Sequence, residues 1–171
     1  KDRAAIAAMH PMPAYAAHYK RFGKSYHVQA QLESVALKGK SLPSVAALVE
    51  AMFMAEVEGQ LLTAGHDLDA MELPLEACPA AGTESYTLLR GQEQVLRAGD
   101  MMMADRAGVI SSIVYGPDQR TQIRPNTHNV LYTVYAPAGI SVQAVRVHLQ
   151  EICDYVRLVS PDAAVHMQEV I

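Results

Sequence analysis

The sequence predicts an α+β fold in one domain. Helical patterns fill its first third, short strand patterns separated by tight turns fill the middle, and a single amphipathic helix closes it. Half of the 171 residues are hydrophobic and 19% are charged, enough to bury a core and too apolar for a disordered tail or a linker. No internal repeat is evident.

The elements follow in order. Asp2–His10 is alanine-rich and stops at Pro11-Met12-Pro13. Ala14–Phe22 has Pro13 at its start and Gly23 just past its end, the usual asymmetry of a helix. A third helix is expected from Val28 to Leu37, followed by the loop Lys38-Gly39-Lys40-Ser41-Leu42-Pro43. Ser44 is expected to cap a longer helix from Val45 to about Glu58. Its residues Val45, Leu48, Val49, Met52 and Phe53 fall on one core-facing stripe.

Strands are expected at Leu73–Ala77, Ser85–Leu89, Gln92–Leu96, Met101–Ala104, Val109–Tyr115 and Asn129–Tyr135. Arg90-Gly91, Arg97–Asp100 and Asp105–Gly108 read as tight turns between them. The run Met101-Met102-Met103 reads as a strand buried on both faces. Ser141 is expected to cap a helix over Val142–Val159 that Pro161 ends.

Charge is uneven. Residues 1–40 carry seven Lys or Arg against two acidic residues, a net +5, whereas residues 41–171 carry seven against sixteen, a net −9. A basic first quarter on an acidic body forms either an anion-facing patch or an ordinary solvated helix face. Cys78 and Cys153 show no metal spacing and read as buried free thiols of a reducing compartment. No apolar run approaches the roughly 20 residues of a membrane helix, and no signal peptide is recognised. A soluble cytoplasmic protein with no membrane partner is therefore expected. The chain starts at Lys1 directly in helical pattern, which leaves open whether a segment precedes it.

Four constellations carry chemistry. Lys38-Gly39-Lys40-Ser41 puts two ammonium groups around a glycine before a helix, either a phosphate cradle or a solvated turn. Gly65-His66-Asp67-Leu68-Asp69 sets a histidine beside two carboxylates. They read as an acid–base pair, a short metal-ligand set, or a turn with aspartate caps. Tyr115-Gly116-Pro117-Asp118-Gln119-Arg120-Thr121 ends a strand in a polar cluster, where binding loops tend to lie. Asn126-Thr127-His128-Asn129 enters the next strand, as a site or as turn chemistry alone. No nucleophile elbow, dinucleotide fingerprint or metalloprotease motif is present.

In order, Leu37–Ser44, Gly65–Asp69, Tyr86–Gly91, Ala98–Asp100 with Ala104-Asp105, Arg120-Thr121 and Asn126–Leu131 resemble the paired B3/B4 domains of the bacterial phenylalanyl-tRNA synthetase beta chain. The likeness is greatest to the free-standing relatives of that module, over residues 31–137, with 1–30 and 140–160 as helical flanks. The resemblance implies a three-layer β/β/α sandwich. It also implies a module that binds the charged tRNA end and hydrolyses wrongly attached tyrosine, because a pocket cannot by size reject a residue that merely adds a hydroxyl.

Carried over by position, Gly65, Asp67, Leu68 and Asp69 fall on the stretch beside the amino-acid pocket. His66, one residue before Asp67 and off the family's histidine position, joins Gly65, Asp67 and Asp69 as a substrate-binding candidate. Asp118 or Gln119 falls where the family reads the tyrosine hydroxyl. Arg120, Thr121 and Asn126 are the catalytic candidates, with backbone N–H groups and Thr121 or Asn126 for the oxyanion. Lys20, Arg21, Lys24, Lys38 and Lys40 are the candidates for RNA phosphates. The sequence departs from the family at Ala64, where the family has a histidine, at Gln119, and along the fourth helix at Ala46, Ala47 and Phe53. The expected function is a free-standing RNA- or tRNA-binding module that deacylates mischarged tRNA in trans. The alternative is a protein on the same fold that binds a small amino-acid-like molecule without RNA. No metal or other cofactor is expected. A chain this short has no room for the ATP-dependent aminoacylation domain of a complete synthetase. The oligomeric state is not legible.

Overall fold

The computed structural model describes residues 2–41 and 44–171. Lys1, Leu42 and Pro43, the last two within the expected Lys38–Pro43 loop, lie outside the described residues. The protein is mixed α and β, with antiparallel pairing in its sheets. It divides into two compact units, residues 1–63 with 134–171, and residues 64–133.

The first unit is largely helical. It holds α1 (Arg3–Ala7), α2 (Met12–Lys20), α3 (His27–Lys38), α4 (Ala47–Gly59) and α5 (Val142–Val159). Its core is built from aromatic and aliphatic groups, including Ile6, Met12, Tyr15, Tyr19, Val28, Leu61 and Ile152. Tyr15 and Tyr26 stack with ring centroids 4.1 Å apart. The buried Tyr15 hydroxyl donates to the Tyr135 carbonyl at 2.6 Å and accepts the Leu62 N–H at 2.9 Å, so its polar end is satisfied on both sides. α4 packs against α5. Gly39 ends α3 in the left-handed conformation at φ 62°, which glycine adopts without steric cost.

Two helix starts contrast. Ser141 caps α5 as expected, its side chain accepting the Ala144 N–H. Ser44 does not cap α4. Its hydroxyl donates to Glu50 Oε1 at 2.8 Å, Ala46 takes the cap position, and Val45 stays exposed outside the helix. The expected stripe therefore begins further on, and the residues α4 buries are Ala51, Met52, Ala55 and Glu56.

The second unit holds most of the strands. β1 (Leu62–Asp67) leads into it from the first unit and ends in a 3-10 turn at Leu68–Ala70, and β8 (Val130–Tyr135) leads out. Between them lie β2 (Glu76–Pro79), β3 (Ser85–Thr87), β4 (Glu93–Val95), β5 (Met101–Asp105), β6 (Gly108–Ser112) and β7 (Gly116–Pro117). β1 pairs with β8, β3 with β4, and the largest sheet runs β2-β5-β6-β7. Ala80, Tyr86, Leu96, Met102 and Val109 form its apolar core, with Cys78, Leu88 and Tyr115 against it.

Several expectations shift here. Arg90-Gly91 makes the expected hairpin turn, with Gly91 at φ 80° and its N–H on the Leu88 carbonyl. The strand expected at Leu73–Ala77 begins only at Glu76, because Pro74 has no N–H to give a ladder and Leu73 lies exposed. Of the three consecutive methionines only Met102 is buried, so β5 is covered unevenly rather than on both faces. β1 went unforeseen, since Gly65–Asp69 read as a polar motif rather than as the end of a strand. Both cysteines are free and only half-buried. Among the described residues no helix is long and apolar enough to cross a membrane.

Candidate functional site

In the second unit a cleft of about 290 Å³ is lined by Asp67, Asp69, Ala70, Arg120, Gln122, Arg124 and Asn126. It lies near the lower size limit of small-molecule pockets. Two stretches far apart in sequence build it, the end of β1 with its 3-10 turn and the loop between β7 and β8.

A row of hydrogen bonds staples these stretches. The Asp67 N–H donates to the Thr121 carbonyl at 2.7 Å, and the Leu68 N–H to the Asn129 carbonyl at 2.9 Å. Thr127 Oγ1 donates to Asp67 Oδ2 at 2.6 Å, and the other Asp67 oxygen accepts the Asp69 N–H, capping the turn. Asn129 Nδ2 sits 3.0 and 3.1 Å from the two Asp69 oxygens. Both carboxylates are thus fixed in direction while remaining at the cleft wall.

Arg120 is anchored rather than free. Its Nη1 and Nη2 donate to Asp105 at 2.9 and 2.8 Å in a bidentate pair, and Nη1 also reaches the Ala70 carbonyl at 3.0 Å. Burial alone would raise the Asp105 carboxyl, but Arg120 and the N–H groups of Glu72 and Ala107 outweigh it and hold the group below the usual range. Arg124, in contrast, is exposed at the cleft and no other described residue engages its guanidinium.

Behind the cleft runs a buried polar chain. His66 is fully buried, with Nδ1 2.7 Å from Thr121 Oγ1 and Nε2 3.2 Å from Ser111 Oγ. Thr121 donates in turn to Asp118 through both its hydroxyl and its N–H. Burial, reinforced by the charge of Arg120, lowers His66 to about 4, so the imidazole is neutral and exchanges hydrogen bonds only with hydroxyls. Burial also raises the Asp118 carboxyl, against the pull of its Thr121 and Arg120 partners.

The sequence candidates separate accordingly. Asp67, Asp69, Arg120 and Asn126 line the cleft. Gly65 lies in β1, and His66, Asp118 and Thr121 form the buried support. Gln119 is exposed beside them, its N–H on the Thr87 carbonyl. Arg124 and Gln122 were not singled out from sequence. The signal available was their position in the short loop between two quoted motifs. In the first unit Lys20, Arg21 and Lys24 are exposed at and after the end of α2, and Lys38 and Lys40 at the end of α3. Cations at these C-terminal ends also complement the helix dipoles.

Neither a family model nor a curated protein matches the chain. Among solved structures it is similar to an N-terminal fragment of the phenylalanyl-tRNA synthetase beta-subunit from Pyrococcus horikoshii. The TM-score is 0.52 and the identity 18%, over 60% of this chain and 36% of that one. This chain therefore matches little more than a third of that structure's length, and at such identity the likeness establishes a common fold.

Proposed function

We propose that the protein is a tRNA-binding module that takes the aminoacylated end of a tRNA into the cleft and hydrolyses a mischarged ester in trans. The observation that carries the reading is the cleft itself, where carboxylates and an unengaged guanidinium share one wall. An α-ammonium group matches Asp67 and Asp69, and a terminal phosphate matches Arg124. A water entering beside Asp67 attacks the ester carbonyl while the amide of Asn126 donates to the oxyanion. Collapse of that intermediate breaks the bond to the terminal ribose oxygen, which takes up the proton the water gives up, so a free amino acid and the tRNA's free 3′ end leave. His66, Asp118 and Thr121 keep the wall rigid from behind.

The fold shared with a phenylalanyl-tRNA synthetase beta-subunit fragment supports this reading. So do the basic residues of the first forty positions, led by Lys20, Arg21, Lys24, Lys38 and Lys40, as phosphate contacts. The B3/B4-type β/β/α sandwich and a cytoplasmic setting belong to the same proposal.

Titrating labelled tRNA with the protein over a salt series tests it. Expected is micromolar binding that weakens steeply with salt and weakens further in Arg124→Ala. Absent or salt-insensitive binding overturns it. A second reading, a protein that binds a free amino acid without RNA, is favoured by the net −9 of residues 41–171. Saturable binding of an amino acid with no tRNA shift decides for it.

A further inference from the structure

We propose that a second pocket, in the helical unit, binds a small primary amine with an apolar body, its ammonium held between His148 and Glu151. The pocket has a volume of about 220 Å³, with Pro11, Leu61, Ala144 and Val147 as its apolar wall and His148 and Glu151 as its polar end. This site uses no residue of the cleft and does not depend on the proposed tRNA function.

His148 is 1% exposed, yet its Nδ1 has no hydrogen-bond partner, and neither does the buried Glu151 Oε2. The two atoms are 3.7 Å apart, too far to bond each other. The opposite ring nitrogen, Nε2, lies 2.8 Å from Thr63 Oγ1, and that hydroxyl also reaches the Leu61 carbonyl at 3.5 Å. An ammonium selects the tautomer in which Nε2–H donates to Thr63, the Thr63 proton turns to Leu61 and Nδ1 presents a lone pair. A neutral acceptor and a carboxylate oxygen then converge without a donor, which is costly in a buried setting.

An ammonium group supplies donors to both. Burial first, and then the negative charges of Glu58 and Asp154, raise the Glu151 carboxyl, so a cation beside it would relieve both, while burial keeps His148 neutral at pH 7. A metal ion suits the place less well, since among the described residues no three His, Cys, Asp or Glu groups converge. The absence of a side chain at Gly59 opens the polar end. A Cβ there would stand 2.5 Å from His148 Nδ1 and 3.0 Å from Glu151 Oε2.

Benzylamine is the probe, with benzyl alcohol and benzoate as controls. Binding is read by calorimetry and by the NMR signals of the His148 ring in the full chain. Expected is benzylamine binding with a Kd below about 1 mM, perturbed His148 signals and no binding of the controls. Glu151→Gln should weaken benzylamine about tenfold, and Gly59→Ala should abolish its binding with the helical circular dichroism retained. Should Gly59→Ala unfold, Glu151→Gln decides alone. Unmoved His148 signals at about 10 mM benzylamine, benzyl alcohol bound as well as the amine, or unchanged affinity in Glu151→Gln overturns the proposal.

Discussion

Arg120 contributes to the cleft through what it holds. Its guanidinium joins Asp105, beside the β5–β6 turn, to the Ala70 carbonyl after β1. Arg120→Ala would leave the Asp105 carboxylate buried without its main partner. We predict a loss of about 2 kcal/mol in urea unfolding, less than the loss of a fully buried partner would cost, because the arginine is itself partly exposed and screened. Arg120→Lys should restore little of it, since an ammonium cannot reproduce the fork. The sequence places Asp118, Arg120 and Thr121 together at a strand end. It does not show that Asp118 and Thr121 turn inward, because that direction is set by His66, about fifty residues earlier in the chain and bonded to Thr121.

The helices were legible where local chemistry decides and less so where two local signals compete. Ser141 has only the Ala144 N–H to satisfy, and Ser141→Ala should cost about 1 kcal/mol of thermal stability. Ser44 has Glu50 as a rival partner, so the start of α4 moved to Ala47 and Val45 left the core. β1 was hidden for a different reason. Its polar residues His66 and Asp67 break the apolar pattern of a strand, and their partners, Ser111, Thr121 and Thr127, lie more than forty residues further along the chain. The short helix α2 is secured by one hydroxyl in two hydrogen bonds. Tyr15→Phe would remove both hydrogen bonds and strand the Leu62 N–H, and we predict about 2 kcal/mol lost in chemical denaturation.

Across the molecule, buried ionisable groups set a pH profile. Burial raises Glu56 from an ordinary 4.5 to about 8, against the pull of the Thr63 N–H, and raises Asp100 to about 6. The folded state keeps those protons after the unfolded chain has released them, so stability declines as pH rises from 4.5 to 8 for Glu56 and from 3.8 to 6 for Asp100. Burial lowers His66 and His148 from 6.5 to about 4, and there the unfolded chain takes up protons first, so stability declines as pH falls from 6.5 through 4. Between pH 6.5 and 8 Glu56 alone among these four changes. Melting temperature should fall over that interval, and Glu56→Gln should flatten the fall while its side-chain oxygen still accepts the Thr63 N–H. An unchanged slope would show that Glu56 is already ionised there. The proposed function rests on the cleft between the end of β1 and the loop before β8. NMR titration of the full chain with a non-hydrolysable 3′-aminoacylamido-adenosine tests it most directly. Expected are saturable shifts at the amides of Asp67, Asp69, Arg124 and Asn126, with Arg124→Ala reducing them. Saturation with shifts confined to residues outside the cleft, or no shifts at all, would contradict it.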